Sequence, residues 1–521
     1  MDNLKEHFIK PLDEYIAKAR KICDHVGYDQ IAYTLIRLIN NSKCEAKCFT
    51  SVEQLANMYE YAHRNTERDA YQAMEATVHN LCTLASRAGA QVPFSSLNLG
   101  TCTSLEGRMV TRNLLLAVEA GLGYGETAIF PISIFKLKKG VNRAPGDPNY
   151  DLKKLALRVT AKRLFPNFLN LDAPYNLKYY KVGRPETEVT AMGCRTRTIS
   201  NIHDPSKEQV TGRGNLFFTT INLPYLALEV KQEAKDGDDI VSLFFNRLEE
   251  RLNDVVNLSM DRFNLIAKRK AKNYPFLMGQ HLYVGSDDLH PDDSIGEVIK
   301  HGSMTAGFIG LAETLVVLTG KHHGESAEAQ ALGLKIVKYM NDFMTEVSER
   351  TKLNFGVMGS PAEGCSGRLL RLTRKKFGTI EGVTDKDYLT NSFHVPVAMQ
   401  LSAWDKIRIE APYHQYCPAG HISYLELDAD AVSNLDALET IVDTMCDNNM
   451  GYFAINHPVD RDPVCGYVGY FPDGVCPRCG RREGEGVPVS KLLSLRSYSP
   501  DPQYDARRES SAPTATLNLV E

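Results

Sequence analysis

The chain has 521 residues, a formal net charge of -4, 43% hydrophobic residues and 24% charged residues. This is the composition of an ordinary soluble protein, long enough for two or three domains or one long α/β barrel; the near-neutral charge excludes a general attraction to nucleic acid or membrane surfaces. No stretch approaches the roughly 18 uninterrupted apolar residues of a membrane helix, and 12 cysteines behind a start that is no signal peptide point to reduced thiols, metal ligands or catalysis in the cytoplasm.

The opening third reads as helical. Ser51-Val52-Glu53-Gln54 is a capping-box start, because Ser51 accepts a free backbone N–H and Gln54 reaches back. Leu55, Met58, Tyr59, Tyr71, Met74, Val78, Leu81 and Leu84 then recur near helical spacing, with a break expected near Asn65. Residues 1–90 form an N-terminal helical region in this reading, offering a dimer or effector face.

From Val92 the pattern alternates. Strands are expected over 92–99, 128–135, 216–223, 354–358, 392–397, 421–427 and 452–456. Helices are expected over 106–120, 150–165, 239–266, 295–318 and 327–350. Strands alternating with long helices imply an α/β core over 91–456. Gly121-Leu122-Gly123-Tyr124-Gly125 lacks the strand and lysine of a phosphate loop and reads as turn glycines. The basic runs 268–272 and 374–376 read as solvated faces. Residues 499–521, rich in Pro, Ser, Asp and Arg, read as a disordered tail.

Two stretches carry chemistry. Met192-Gly193-Cys194-Arg195-Thr196 sets a cysteine after a glycine that permits close backbone approach. The apolar run 216–223 brings Asn222 to the end of a buried strand, so a thiol and an amide can face one pocket; on spacing alone, a lone cysteine is a small core residue. Further on, Cys465 precedes Cys476-Pro477-Arg478-Cys479-Gly480. Two cysteines separated by two residues form a metal knuckle, and Asp462-Pro463-Val464-Cys465 offers the second half with a carboxylate in place of a thiolate. Cys465, Cys476, Cys479 and Asp462 are therefore the expected ligands of a structural Zn2+, with His457 as the other candidate for the fourth position. Zinc there supplies on the order of 10 kcal/mol of local folding energy.

A set of motifs in order then resembles one known family. They are Gly146-Asp147-Pro148-Asn149-Tyr150-Asp151, Met192-Gly193-Cys194-Arg195, Asn222-Leu223-Pro224, Ser360-Pro361-Ala362-Glu363, Thr384-Asp385-Lys386, Thr390-Asn391-Ser392-Phe393-His394-Val395, Ala411-Pro412-Tyr413-His414 and Gly420-His421-Ile422-Ser423-Tyr424. The chain resembles the anaerobic (class III) ribonucleoside-triphosphate reductases, which are glycyl radical enzymes, from about residue 5 to 480. The resemblance implies a ten-stranded α/β barrel with Cys194 on a finger loop at its centre, N-terminal helices and a C-terminal zinc-ribbon-like segment over 457–498. It implies that Cys194 becomes a thiyl radical and takes the 3′ hydrogen of a ribose, that Asn222 binds the ribose hydroxyls, and that Ser360, Pro361, Ala362 and Glu363 cradle the phosphates. It also implies ribonucleoside triphosphates and nucleotide effectors as ligands, a radical-SAM activating enzyme, formate or a thiol as reductant, and a homodimer. Cys365 and Cys417 read as core thiols. His394, His414 and His421 read as buried hydrogen-bonders.

Three departures accompany the resemblance. Cys23, Cys44 and Cys48 lie in a context unlike that of the family's second active-site cysteine. Ser497, in Leu495-Arg496-Ser497-Tyr498, stands where the radical glycine is expected; glycine suits that role because its α-radical becomes planar without side-chain strain. Asp462 replaces one zinc cysteine. The expectation is thus a catalytic chain altered at both ends, by truncation or frameshift. The alternative is a non-catalytic nucleotide-binding or subunit-interaction homologue. A zinc-ribbon nucleic-acid binder is disfavoured by the charge.

Overall fold

The computed structural model describes residues 52–85, 91–123, 125–198, 200–428 and 430–486, with Glu363 and residues 52–62 described by their backbone alone. Ser51, Cys23, Cys44, Cys48, Ser497 and the expected tail lie outside the described residues. Among the described residues, no helix is long and apolar enough to cross a membrane.

Two sheets organise the chain. The first has five strands in the order β1 (Ser96–Leu99), β2 (Ile132–Leu137), β3 (Asn167–Asn170), β10 (Tyr452–Asn456) and β9 (Ser423–Glu426). β1, β2 and β3 run parallel, β10 is antiparallel to β3, and β9 is parallel to β10. The second sheet is the parallel set β6 (Asn215–Asn222), β7 (Ser303–Ile309) and β8 (Asn354–Gly359). Between them stands a short hairpin, β4 (Ala191–Met192) and β5 (Thr196–Arg197). The two sheets hold eight strands among the described residues, where the resemblance implies ten.

The alternation of side chains shows why both faces of the first sheet are covered. Phe135, Phe168 and Phe453 join a core with Leu114, Leu115, Leu157 and Val442 from the flanking helices. Their neighbours Ile134, Leu169, Tyr452 and Ala454 point the other way, into a cluster with Ala191 of the hairpin and Ile422. Successive strand residues face opposite sides, so an apolar run with no polar face marks a strand buried twice. The second sheet repeats the scheme: Ile221, Ala306, Phe308 and Val357 pack on Phe244, Leu248, Ile336 and Met340 of its outer helices.

The helices start where a side chain satisfies a free N–H. Ser104 caps Leu105–Ala120, Asp239 caps Ile240–Ala267 and Ser326 caps Ala327–Thr351. The helix Val52–Thr83 runs through Asn65 without the expected break.

Two expectations are corrected. Residues 295–318 were expected as one helix, but they form a short helix Gly296–Ile299, then β7, then the helix Leu311–Thr319. β7 is the central strand of its sheet and is buried at all seven positions; a fully buried strand loses the period that separates it from a helix. Residues 392–397 were expected as a strand but form turns. Ser392 has φ 41°, His394 N donates to Asn391 O at 3.0 Å and Val395 N donates to buried Glu410 at 3.0 Å, so these donors serve a turn and a carboxylate instead of a ladder. The glycines after Leu105–Ala120 end that helix, Gly121 N–H donating to Ala117 O at 3.1 Å. In the basic runs, Lys270 and Lys272 pair with exposed Asp292.

Candidate active site and metal centre

Cys194 sits at the tip of the β4–β5 hairpin, and both sheets hold that hairpin. From the first sheet, Asn98 of β1 brackets Ala191, its Nδ2 donating to Ala191 O at 2.9 Å and its Oδ1 accepting from Ala191 N at 3.1 Å. Ser96 accepts from Gly193 N at 3.2 Å, and the Tyr452 hydroxyl of β10 donates to Gly193 O at 3.0 Å. From the second sheet, Gly420 bridges both Thr196 and Met358 of β8, and Arg197 N donates to Ala419 O at 2.9 Å. Two glycines make this contact possible. Gly193 has φ +60° and its missing Cβ leaves room for Phe94; a Cβ on Gly420 would stand 2.7 Å from Arg195 O. The tip is therefore fixed by backbone pairing on two sides, and Cys194 is half-buried as a free thiol with Arg195 Nη1 at 3.5 Å. Arg195 itself is buried, its guanidinium 5.9 Å from the Tyr424 ring.

Asn222 closes β6 and caps the next helix, Leu223–Glu233, accepting from Tyr225 N at 3.3 Å. Its Nδ2 donates to Thr373 on the helix Glu363–Phe377, at 3.0 Å. Ser360 follows β8 directly, is fully buried, and shares a 2.7 Å hydrogen bond with Thr220 of β6. That bond crosses β7 above Gly307, where a Cβ would collide with Ser360 Oγ. Pro361 and Ala362 complete the turn into Glu363–Phe377, whose N-terminus has no side-chain cap. Thr390 O and Ser392 O accept from Gly310 N and Leu311 N at the same edge.

The C-terminal ends of β6, β7 and β8 thus gather Asn222, Ser360-Pro361-Ala362 and Thr390-Asn391-Ser392. In parallel α/β sheets this edge is where ligands bind. The Cys194 hairpin meets β8 through Met358, two residues before Ser360 and so roughly 7 Å along the strand. Cys194 and Asn222 keep separate hydrogen-bond partners.

The histidines of the later motifs pack beneath the hairpin. Gly451 N donates to His414 Nδ1 at 3.0 Å, so His414 Nε2 carries the proton and donates to Ser423 Oγ at 2.9 Å; Ser423 donates to Glu410 at 2.7 Å. This relay satisfies every member, as buried polar groups require. Burial, reinforced by Arg195, pushes His394 down to about 3; burial, reinforced by Arg197, holds His414 and His421 well below the usual range. They are neutral hydrogen-bonders, as expected. Tyr452, Gly420 and Thr373 were not singled out from sequence; Gly420 stood inside a quoted motif, while Tyr452 and Thr373 had no local signal.

The second cluster lies in the C-terminal segment. One ligand atom each from Asp462, Cys465, Cys476 and Cys479 lies within 4.8 Å of the others. Cys465 Sγ and Cys476 Sγ are 3.6 Å apart, close to the roughly 3.8 Å separating two sulfurs on one tetrahedral zinc. Gly480 turns the knuckle with φ +73°, its N–H donating to Cys476 O at 2.8 Å. Burial raises the Asp462 carboxyl, but N–H donors from Cys465 and Val464 and the Arg481 guanidinium outweigh it and hold it well below the usual carboxylate range. Asp462 is thus ionised, and its Oδ2 accepts from Arg481 Nε at 2.9 Å and from Cys479 Sγ at 3.3 Å. These residues fit a metal such as zinc. His457 is not in the cluster; its Nε2 lies 2.9 Å from Thr160 O.

A family model described as anaerobic ribonucleoside-triphosphate reductase matches residues 10–490. The chain is 33% identical to the anaerobic ribonucleoside-triphosphate reductase of Salmonella typhimurium over 457 residues, covering 86% of this chain and 61% of that protein. It is 35% identical to the enzyme of that name from Enterobacteria phage T4, over 82% of this chain and 68% of the relative. Among solved structures, the anaerobic ribonucleotide reductase from Thermotoga maritima in complex with dATP and CTP superimposes with a TM-score of 0.56 at 15% identity, covering 90% of this chain and 72% of that one. The chain spans less than two thirds of the Salmonella protein's length. On these matches, this chain belongs to the anaerobic ribonucleoside-triphosphate reductase family.

Proposed function

We propose that this chain carries the catalytic core of an anaerobic ribonucleoside-triphosphate reductase, converting ribonucleoside triphosphates to 2′-deoxyribonucleoside triphosphates. The observation that carries the reading is Cys194 at a hairpin tip pinned from both sheets, beside the end of β8. In this account the Cys194 thiol loses its hydrogen atom, and the sulfur takes the 3′ hydrogen of the bound ribose. The 2′ hydroxyl then leaves as water, and formate or a thiol reductant supplies the two electrons. Asn222 orients the ribose hydroxyls, exchanging its Thr373 bond for the sugar. The turn Ser360-Pro361-Ala362-Glu363 offers backbone N–H groups to the phosphates, as an uncapped helix start does for anions. A ribonucleotide bound over the half-buried Cys194 would complete the exclusion of water and oxygen from the sulfur.

Asp462, Cys465, Cys476 and Cys479 would hold a structural Zn2+ that ties the C-terminal segment together. A radical-SAM activating enzyme, nucleotide effectors and a homodimer belong to the same reading, with residues 1–90, 91–456 and 457–498 as helical, catalytic and metal-binding units.

The test is anaerobic incubation with an activating enzyme, S-adenosylmethionine, formate, ATP and CTP, with and without a separately supplied glycyl radical subunit. With the glycyl radical subunit supplied, deoxycytidine triphosphate should form with wild type and be absent with Cys194→Ser. No glycyl spin-resonance doublet is expected on this chain alone, because Ser497 occupies the radical position. That substitution also favours a second reading, a nucleotide-binding homologue without turnover. Nucleotide binding with no deoxynucleotide under any of these conditions would establish the second reading over the first.

A further inference from the structure

The helix that follows β7 is started by another part of the chain. β7 is the central strand of the parallel sheet, between β6, which ends in Asn222, and β8, which leads to Ser360. Its last residue, Ile309, pairs with Asn222, and Phe308 pairs with Gly359. Gly310 then turns the chain, with φ +76°, into Leu311–Thr319. A Cβ on Gly310 would stand 2.5 Å from Pro224 Cγ, so Asn222-Leu223-Pro224 packs directly on this turn.

Glu313 lies in the first turn of that helix, three residues after the N-cap Gly310. A glutamate in this position ordinarily reaches back to the N-cap N–H. Gly310 N instead donates to Thr390 O at 2.9 Å, and Leu311 N to Ser392 O at 3.3 Å. The Glu313 carboxylate goes to the same loop. Its Oε1 accepts from Thr390 N at 2.9 Å and from Thr390 Oγ1 at 2.6 Å. Lys386 Nζ pairs with that oxygen as well. Helix and loop thus exchange donors in both directions. The Glu313 side chain is 0% exposed and that of Lys386 33%, so the pair runs from the interior to the surface.

This lock bears on the candidate site. Ser392 lies against Gly359, where a Cβ would stand 3.0 Å from Ser392 Cβ, and Gly359 immediately precedes Ser360. Arg374 of the helix Glu363–Phe377 donates to Thr384 O at 2.6 Å and also to Lys386 O. The loop 386–392 is therefore seated between the start of one helix and the turn that leads into the next. A glutamate is almost never fully buried without a partner. A buried ion pair is a weak source of net stability, because desolvating both charges offsets their attraction; what it supplies is a fixed arrangement. Glu313 lies outside every motif of the resemblance.

We propose that Glu313 is a positioning residue for nucleotide binding. It sets the loop 386–392 against the Ser360 turn, so that this edge is formed before a nucleotide arrives. The role rests on the proposed function, in which that turn receives the phosphates.

The test compares the full chain with its Glu313→Gln variant by ligand-observed NMR titration with CTP and with cytidine. Glutamine keeps an acceptor for Thr390 and loses the charge for Lys386, whose ammonium is then free to reach solvent. Glu313→Gln should weaken CTP about 10-fold and cytidine less than about 2-fold. Hydrogen exchange without nucleotide should speed at least about 10-fold at 386–392 and stay unchanged in β1, β2 and β3. Because Glu313 is buried, Glu313→Gln combined with Lys386→Met is the second variant. It leaves no unpaired charge, should keep the thermal midpoint, and should weaken CTP to the same extent. Unchanged CTP affinity in either variant, CTP and cytidine weakened equally, or unchanged exchange at 386–392 would overturn the proposal. A wild type that binds no CTP would reject the nucleotide reading itself, and this role with it.

Discussion

Replacing Gly420 with alanine tests whether the hairpin is positioned as described. A Cβ there stands 2.7 Å from Arg195 O and 3.0 Å from both Arg195 C and Thr196 Cα. All three are backbone atoms, so no side-chain rotation relieves the contact. Reaching ordinary van der Waals separation requires the strand to move by roughly 0.5–0.7 Å, which is large in a close-packed interior. Gly420 also pairs with Met358 and its carbonyl accepts from Gly359 N at 2.9 Å, so movement in the other direction breaks the link to β8. Overpacking of this kind costs about 1–3 kcal/mol. Differential scanning calorimetry should show the melting midpoint falling by roughly 1–3 °C, and alkylation of Cys194 should change rate because the tip shifts with its strand. A midpoint and an alkylation rate both equal to wild type would refute the packing argument.

Tyr452→Phe removes the hydroxyl that donates to Gly193 O and accepts from Asn167 Nδ2 at 2.9 Å; two buried groups lose their partner, so urea denaturation should show a loss of about 2–4 kcal/mol. Elemental analysis should find one zinc per chain, lost in Cys476→Ala, and chelation should raise hydrogen exchange across 457–486 while sparing β6, β7 and β8. Stability should also fall on mild acidification. Burial first depresses His394 and His323 to about 3 and His301 to about 4, and holds His414 and His421 low, with Arg195 adding to it at His394 and Arg197 at His414 and His421. These groups stay neutral when folded and gain protons when unfolded below about 6.5. Each therefore lowers stability by up to about 1.4 kcal/mol per pH unit on going from about 6.5 toward its folded value, with Glu410, raised by burial, offsetting part. Thermal midpoints measured at pH 7.5, 6.5 and 5.5 should decline, most steeply in the last interval.

How far the sequence led depends on what each residue does locally. The helices Ile240–Ala267 and Ala327–Thr351 were legible because caps and one-sided apolar spacing agree. β10 was legible at its observed ends because Asn448 to Gly451 and His457-Pro458 punctuate it. β7 was not, since burial on both faces erased its period. The segment 392–397 misled because its apolar residues serve a turn whose donors go to Asn391 O and to the Glu410 carboxylate. The candidate metal cluster was legible from spacing, and the geometry places Asp462 in it and His457 outside it.

The central claim is that Cys194 lies where a ribonucleotide's sugar binds. It is tested by alkylating the chain under anaerobic conditions with and without CTP and ATP, then quantifying the modified Cys194 peptide by mass spectrometry. The account predicts that ribonucleotide slows Cys194 labelling at least about 10-fold while exposed Cys102 is labelled at an unchanged rate. Cys194 labelled equally fast at saturating nucleotide would contradict it.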